Sequence, residues 1–194
     1  IAMLSPATIY DVYVVSEDMS QNLQPIPIKL TFKTDSKKID VPIRKSFAEN
    51  FDNCGTVNSF TSFSVAGAQN WTCTRSGMAS GGIRMNGYAG SAIANEDWLI
   101  SPLVRLDQNP QLTFYSQVSF TGNPLHIKIS VDYAGSGNPA LAGWTDLPGN
   151  FPDVPVSSTS TDLSDWTLST VDLADYSGIA VYVAWVYTST SATA

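Results

Sequence analysis

The chain has 194 residues, 43% hydrophobic and 14% charged, with ten Lys and Arg against seventeen Asp and Glu for a formal charge of −7. So many apolar residues can build a sizeable core and exclude a disordered chain. The lack of clustered Lys and Arg argues against nucleic acid and against attachment to anionic lipid. No apolar run approaches the roughly 20 residues of a membrane-spanning helix, the opening residues do not follow the pattern of a secretory leader, and Ile1 as first residue leads us to expect a piece of a longer protein.

Helical periodicity is hard to find. Short alternating runs rich in Thr, Val, Tyr and Trp are separated by Gly, Pro, Asn and Asp clusters, the pattern of an all-β sandwich or barrel. In residues 1–34, Tyr10, Val12 and Val14 alternate with Asp11, Tyr13 and Val15, and Ile28, Leu30 and Phe32 alternate with Lys29, Thr31 and Lys33. Two strands are therefore expected, joined through a turn-rich stretch, and a segment this short cannot bury a core unaided. Polar residues around Asp35 to Asp40 form a linker (37–42), and a second unit runs over 43–194. Its predicted strands are 43–47, 60–65, 82–85, 99–106, 111–120, 126–131, 144–146, 166–172 and 180–187. The last is apolar on both faces, which places it centrally or beneath a covering loop. The stretch 150–164, rich in Pro, Ser and Thr, is the one long irregular loop.

Within this frame Asn95-Glu96-Asp97-Trp98-Leu99-Ile100-Ser101-Pro102 stands out. Two adjacent carboxylates precede a large aromatic, and Pro102 breaks the ladder because it has no N–H to give, marking an edge or bulge. Cys54 and Cys73 are the only cysteines. They either close a loop in an oxidising compartment, worth roughly 3 kcal/mol on the chain-entropy model, or are two small buried hydrophobes.

Two resemblances follow from ordered motifs. Leu4-Ser-Pro6-Ala-Thr8-Ile-Tyr10-Asp-Val12, with the strand ending at Phe32-Lys-Thr34, resembles the last two strands of a fibronectin type III domain, which would make Tyr10 its corner tyrosine. On this reading residues 1–36 are a hairpin from a partial fibronectin III or Ig-like sandwich. The second unit resembles the cleaved-adhesin, or choice-of-anchor J, jelly-roll family, including gingipain adhesin modules. The pieces are Ser46-Phe47-Ala-Glu49-Asn50-Phe51, Asn70-Trp71, the Asn95–Pro102 stretch, Ser130-Val-Asp132-Tyr133-Ala-Gly135-Ser-Gly137-Asn138-Pro139, Trp144-Thr-Asp-Leu147, Trp166, Val171-Asp172-Leu173 and Val181-Tyr-Val-Ala184. They cover about residues 44 to 188 in the family's order. The family's closing strand and its acid are missing after Thr188.

The family resemblance implies structural Ca²⁺, held by Glu49 with Glu96 or Asp97, since hard oxygen ligands suit that ion. The alternative is that these acids cap turns or pair with arginines. Sugar-binding modules stack pyranose rings on aromatics, which makes Trp166, Trp144 and Tyr133, in or beside loops, the candidate ligand platforms. Each of the three is also readable as core. The single histidine, His126, sits on a strand beside Lys128, and neither a Gly-x-Ser-x-Gly elbow nor a zinc spacing is present. These features point to a non-catalytic, secreted or surface-anchored adhesion or carbohydrate-binding module. Its partners would be a glycan or surface protein and other domains of the same polypeptide. The second reading is a spacer or accessory domain of a larger secreted hydrolase.

Overall fold

The computed structural model describes residues 9–15, 19–21, 23, 26–33, 43–44, 47–52, 59–78, 81–157 and 162–193. The segment Leu4 to Thr8, the 37–42 linker, Ser46 and Cys54 lie outside them. The chain divides into two compact units, Ile1–Asp40 and Val41–Ala194.

In the first unit β1 (Ile9–Val14) and β2 (Ile28–Lys33) pair antiparallel, with Tyr10 opposite Phe32, Val12 opposite Leu30 and Val14 opposite Ile28. Period-2 alternation puts these six on one face, where the Tyr10 and Phe32 rings stack at 6.0 Å. The other face carries Asp11, whose carboxylate accepts from Lys29 at 2.8 Å and from the Thr31 hydroxyl at 2.6 Å.

The second unit contains β3 (Ile43–Arg44), β4 (Thr61–Ala66), β5 (Thr72–Thr74), β6 (Gly82–Arg84), β7 (Asn95–Ile100), β8 (Val104–Leu106) and β9 (Gln111–Ser116). Then come β10 (His126–Ser130), β11 (Thr145–Leu147), β12 (Thr167–Asp172) and β13 (Ala180–Ser189). Among the described residues the only helical elements are short 3-10 turns. The main sheet runs β11-β10-β13-β7-β4, and β8 pairs with both β13 and β3; β9–β12 and β5–β6 form separate antiparallel pairs.

β13 is the organising strand. It lies between β10 and β7 and alternates with apolar residues on both sides, so both faces of the sheet are packed. On one face Ile127, Ile129, Val181 and Val183 meet Val171, Leu112 and Phe114 from the β9–β12 pair. On the other, Trp98, Ile100, Ala184 and Val186 lie beneath Tyr133, Ala142 and Trp144. These three come from 131–144, so a stretch between strands serves as a second packing layer. At about 25 cal/mol per Å² of apolar area removed from water, such double coverage is the main source of stability.

The predicted strand over 99–106 is two strands. β7 begins at Asn95, so the acid pair lies within the ladder and not ahead of it, and β7 stops at Ile100. Ser101 then substitutes for the ladder: its N–H donates to the Val183 carbonyl at 2.8 Å, and its hydroxyl accepts from the Val183 N–H at 3.0 Å. The same hydroxyl donates to the Pro102 carbonyl at 2.9 Å. β8 resumes at Val104 against Val181. β13 is thereby kept in register across the proline.

Candidate functional site: an exposed strand-pair face and a buried oxygen corner

The register of β9 against β12 sets Tyr115 opposite Leu168, Thr113 opposite Thr170 and Gln111 opposite Asp172. Leu112, Phe114 and Val171 point inward to the core, so the alternation turns the other set outward. Tyr115 is 48% exposed and Leu168 50%. An open aromatic beside an aliphatic neighbour, bordered by two hydroxyls, an amide and a carboxylate, combines a stacking surface with hydrogen-bonding groups of both polarities. The sequence singles out none of these residues as a ligand contact, and Asp172 enters it only within the motif Val171-Asp172-Leu173. Tyr115 shares parity with Gln111 and Thr113 in an alternating run, and that parity was the available signal.

The aromatics proposed as platforms are placed differently. Tyr133 is 7% exposed; its hydroxyl donates to the Gly137 carbonyl at 3.2 Å and its ring meets Tyr182 edge-on at 5.1 Å. Trp144 packs on Trp98 at 5.0 Å and on Tyr133 at 5.6 Å, and its Nε1–H donates to the Pro139 carbonyl at 2.9 Å. Tyr133 is thus buried in the core layer and Trp144 packs half-buried against it: a loop position does not imply exposure when the loop folds back over a sheet. The chain reverses there through Gly135 and Gly137, at φ +79° and +80°; at Gly135 a Cβ would also stand 2.4 Å from the Tyr182 hydroxyl. Asp132 accepts from the Ser130 hydroxyl at 2.8 Å and the Gly143 N–H at 3.0 Å, fastening both ends of the loop. Trp166 is half-buried, its indole N–H enclosed without an acceptor.

His126 lies at an exposed position on β10 with Nδ1 3.8 Å from Asp146, which also accepts from Lys128 at 2.7 Å. Lys128 and Asp146 form a surface ion pair on neighbouring strands, with the His126 ring beside it.

The three acids expected to share a metal do not converge. Glu49 closes a local turn, accepting from the Phe51 N–H at 2.9 Å and the Ser59 hydroxyl at 3.1 Å. Glu96 and Asp97 are consecutive in a strand and therefore project to opposite faces. Glu96 shares its face with Trp98, whose indole N–H it accepts at 2.9 Å. Asp97 shares the opposite face with Asn95 and is fully buried. Among the described residues no group of three or more His, Cys, Asp or Glu side chains comes together as a metal-holding set. Burial pushes the Asp97 carboxyl above the ordinary carboxylate range; the adjacent Ser64 hydroxyl opposes this and the Glu96 charge adds to it. Cys73 is disulfide-bonded, and Cys54, the sequence's only other cysteine, lies outside the described residues.

No family model matches the chain, and no curated protein sequence does either. Solved structures do. The K2 cleaved adhesin domain of Lys-gingipain (Kgp) superposes with a TM-score of 0.53 at 21% identity, covering 73% of this chain and 89% of that one. The K1 cleaved adhesin domain of Lys-gingipain from Porphyromonas gingivalis W83 gives 0.53 at 18% identity, over 75% of this chain and 89% of that one. A structure of carbohydrate-binding modules from the β-sandwich superfamily aligns at 15% identity over 96% of this chain and 69% of that one, but with a TM-score of 0.45, too loose to define a common fold. Over about three quarters of its length the chain thus has the fold of the gingipain cleaved adhesin domains, an all-β jelly-roll sandwich.

Proposed function

We propose that the second unit is a non-catalytic binding module that takes a carbohydrate on the outer face of the β9–β12 pair. The observation that carries this reading is the half-exposed Tyr115 beside Leu168, with Thr113, Thr170, Gln111 and Asp172 around them. A pyranose presents an apolar C–H face and a rim of hydroxyls. The ring of Tyr115 can receive the first, and the surrounding hydroxyl, amide and carboxylate groups can bond the second. The backbone beneath is a paired sheet, so binding needs little ordering of the protein. The name "cleaved adhesin" carried by the similar structures agrees with a binding role. The disulfide at Cys73 fits an oxidising, extracytoplasmic setting in a secreted or surface-anchored protein, and we assign Cys54 as its partner. The first unit fits, on the same proposal, the closing hairpin of a fibronectin III-like sandwich.

The test is a glycan array probed with the full chain and with Tyr115→Ala. Binding that falls at least tenfold in the variant, with an unchanged melting temperature, supports the reading. A silent array, or binding indifferent to Tyr115, rejects the face and favours a spacer domain in a larger secreted protein.

A further inference from the structure

The outer face of the β9–β12 pair is graded in polarity from one end to the other. The Leu173 N–H donates to the Pro110 carbonyl at 3.0 Å, which makes that pair a hydrogen-bonded rung in line with the ladder. The rungs that alternate with it are Gln111–Asp172, Thr113–Thr170 and Tyr115–Leu168. They are therefore of the kind without hydrogen bonds, in which facing side chains stand closest. All six side chains are exposed, and together they make a continuous strip. It runs from an apolar rung through a hydroxyl rung to an amide beside a carboxylate. Four residues of antiparallel strand separate its ends, roughly 13 Å, which is longer than a single pyranose.

Asp172 is the only acidic or basic side chain among the six. Its Oδ1 accepts from the Ala174 N–H at 2.9 Å, which fixes the carboxylate at the end of β12. Among the described residues its second oxygen has no hydrogen bond and the side chain makes no ion pair. No Lys or Arg lies between Arg105 and Lys128 and none follows Lys128, whereas seven aspartates do. Those two flanking cations are engaged elsewhere: Arg105 Nε–H donates to the Gly178 carbonyl at 3.3 Å, and Lys128 pairs with Asp146 at 2.7 Å. A uronate or sulfate on a ligand would find no guanidinium or ammonium on the strip to receive it, and would stand against Asp172. A ligand ammonium meets a carboxylate oxygen already held in place.

We infer that the strip is selective for amino sugars, with Asp172 as the residue that sets the charge class of the ligand. A short glycan lies along the strand direction, one ring on Tyr115 and Leu168, its hydroxyls on Thr113, Thr170 and Gln111, and an ammonium group on Asp172 Oδ2. The inference rests on the carbohydrate reading of this face and adds to it the sign of the ligand's charge and a length beyond one ring. Selectivity arises from both directions, since the same carboxylate that attracts an amine rejects an acid. The carboxylate is exposed, so its attraction is modest and screened by salt. An amine is therefore preferred over its N-acetyl counterpart by about fivefold at low ionic strength.

The experiment is isothermal titration of the full chain with three trimers, of glucosamine, N-acetylglucosamine and galacturonate, at low and at high NaCl. It is repeated with Asp172→Asn and with Asp153→Asn, an exposed aspartate off the strip whose replacement makes the same change in net charge. Asparagine at 172 keeps an oxygen for the Ala174 N–H, so the end of β12 stays capped, and an unchanged melting temperature verifies it. The expected order is glucosamine, then N-acetylglucosamine, then galacturonate. The roughly fivefold gap between the first two is expected to close at high salt and in Asp172→Asn, and to persist in Asp153→Asn. Equal affinities for those two in the wild type, or a gap that survives in Asp172→Asn, overturns the role of Asp172 and leaves the carbohydrate face standing. A gap lost equally in Asp153→Asn assigns it to the overall negative charge and overturns the inference as well, as does tightest binding to galacturonate. Silence on all three trimers with a Tyr115-dependent signal elsewhere on a glycan array overturns the amino-sugar assignment alone; silence across the array ends both readings.

Discussion

Trp144 and Tyr115 behave as opposites although both are aromatics in a sequence short of helices. Trp144 is wedged between Trp98 and Tyr133, with its indole nitrogen bonded to the chain. Truncating it removes a packing layer from the sheet and opens a cavity. Trp144→Ala is expected to lower unfolding free energy by about 3 kcal/mol, measured by urea denaturation, whereas Tyr115→Ala at its exposed position is expected to stay within about 0.5 kcal/mol of wild type. Equal losses for the two would contradict the assignment of Trp144 to the core. The contrast also shows where reading the sequence stopped. The sequence puts Trp144 at the start of a predicted strand and both it and Tyr133 in or beside loops, but whether such a position faces water depends on what the loop folds over. The burial of Asp97 is hidden from the sequence for a related reason. Charged residues are assigned to surfaces by default, and nothing local distinguishes it from Glu96 next door, which turns to the other face.

At the scale of elements, the Ser-Pro step between β7 and β8 is a repair within a ladder. Pro102 cannot donate, and a strand interrupted beside the central β13 would strand the Val183 N–H in the core. Ser101 supplies the missing acceptor from its side chain at 3.0 Å. Alanine at this position leaves that buried N–H unpaired, with an expected cost of about 1–3 kcal/mol. Ser101→Ala should show that loss in chemical denaturation together with faster hydrogen exchange at Val183, while Ser101→Thr, which keeps the hydroxyl, should retain most of the protection. Undiminished protection at Val183 in the alanine variant would remove the hydroxyl from this role. The interruption itself was legible because proline's missing donor is a property of one residue. Its repair was not, since Ser101 and Val183 stand 82 positions apart in the chain and meet only in the folded sheet. The two-faced apolar pattern of β13, by contrast, announced a central strand directly, and it is covered on both sides.

For the whole molecule, the division into Ile1–Asp40 and Val41–Ala194 coincides with a difference in how apolar residues are used. Every residue of the two core clusters lies beyond position 41. In the first unit Val12, Val14, Ile28, Leu30 and Phe32 are all more than 40% exposed, on a hairpin of two strands. A two-stranded hairpin whose described apolar residues stay this exposed gains little against the entropy of ordering it, whereas the jelly roll closes its sheet under two layers. Cooperative unfolding should therefore belong to residues 41–194 alone. Expressed by themselves, residues 41–194 are expected to melt within about 2 °C of the full chain, because none of the described residues of the first unit belongs to a buried core and most changes away from a core move stability by no more than about 0.5 kcal/mol. Differential scanning calorimetry of the two proteins checks this. A single transition of matching temperature and enthalpy places all the cooperative structure in the second unit; a drop of several degrees on removing residues 1–40 would mean that the hairpin's apolar face contributes to the stability of the sandwich.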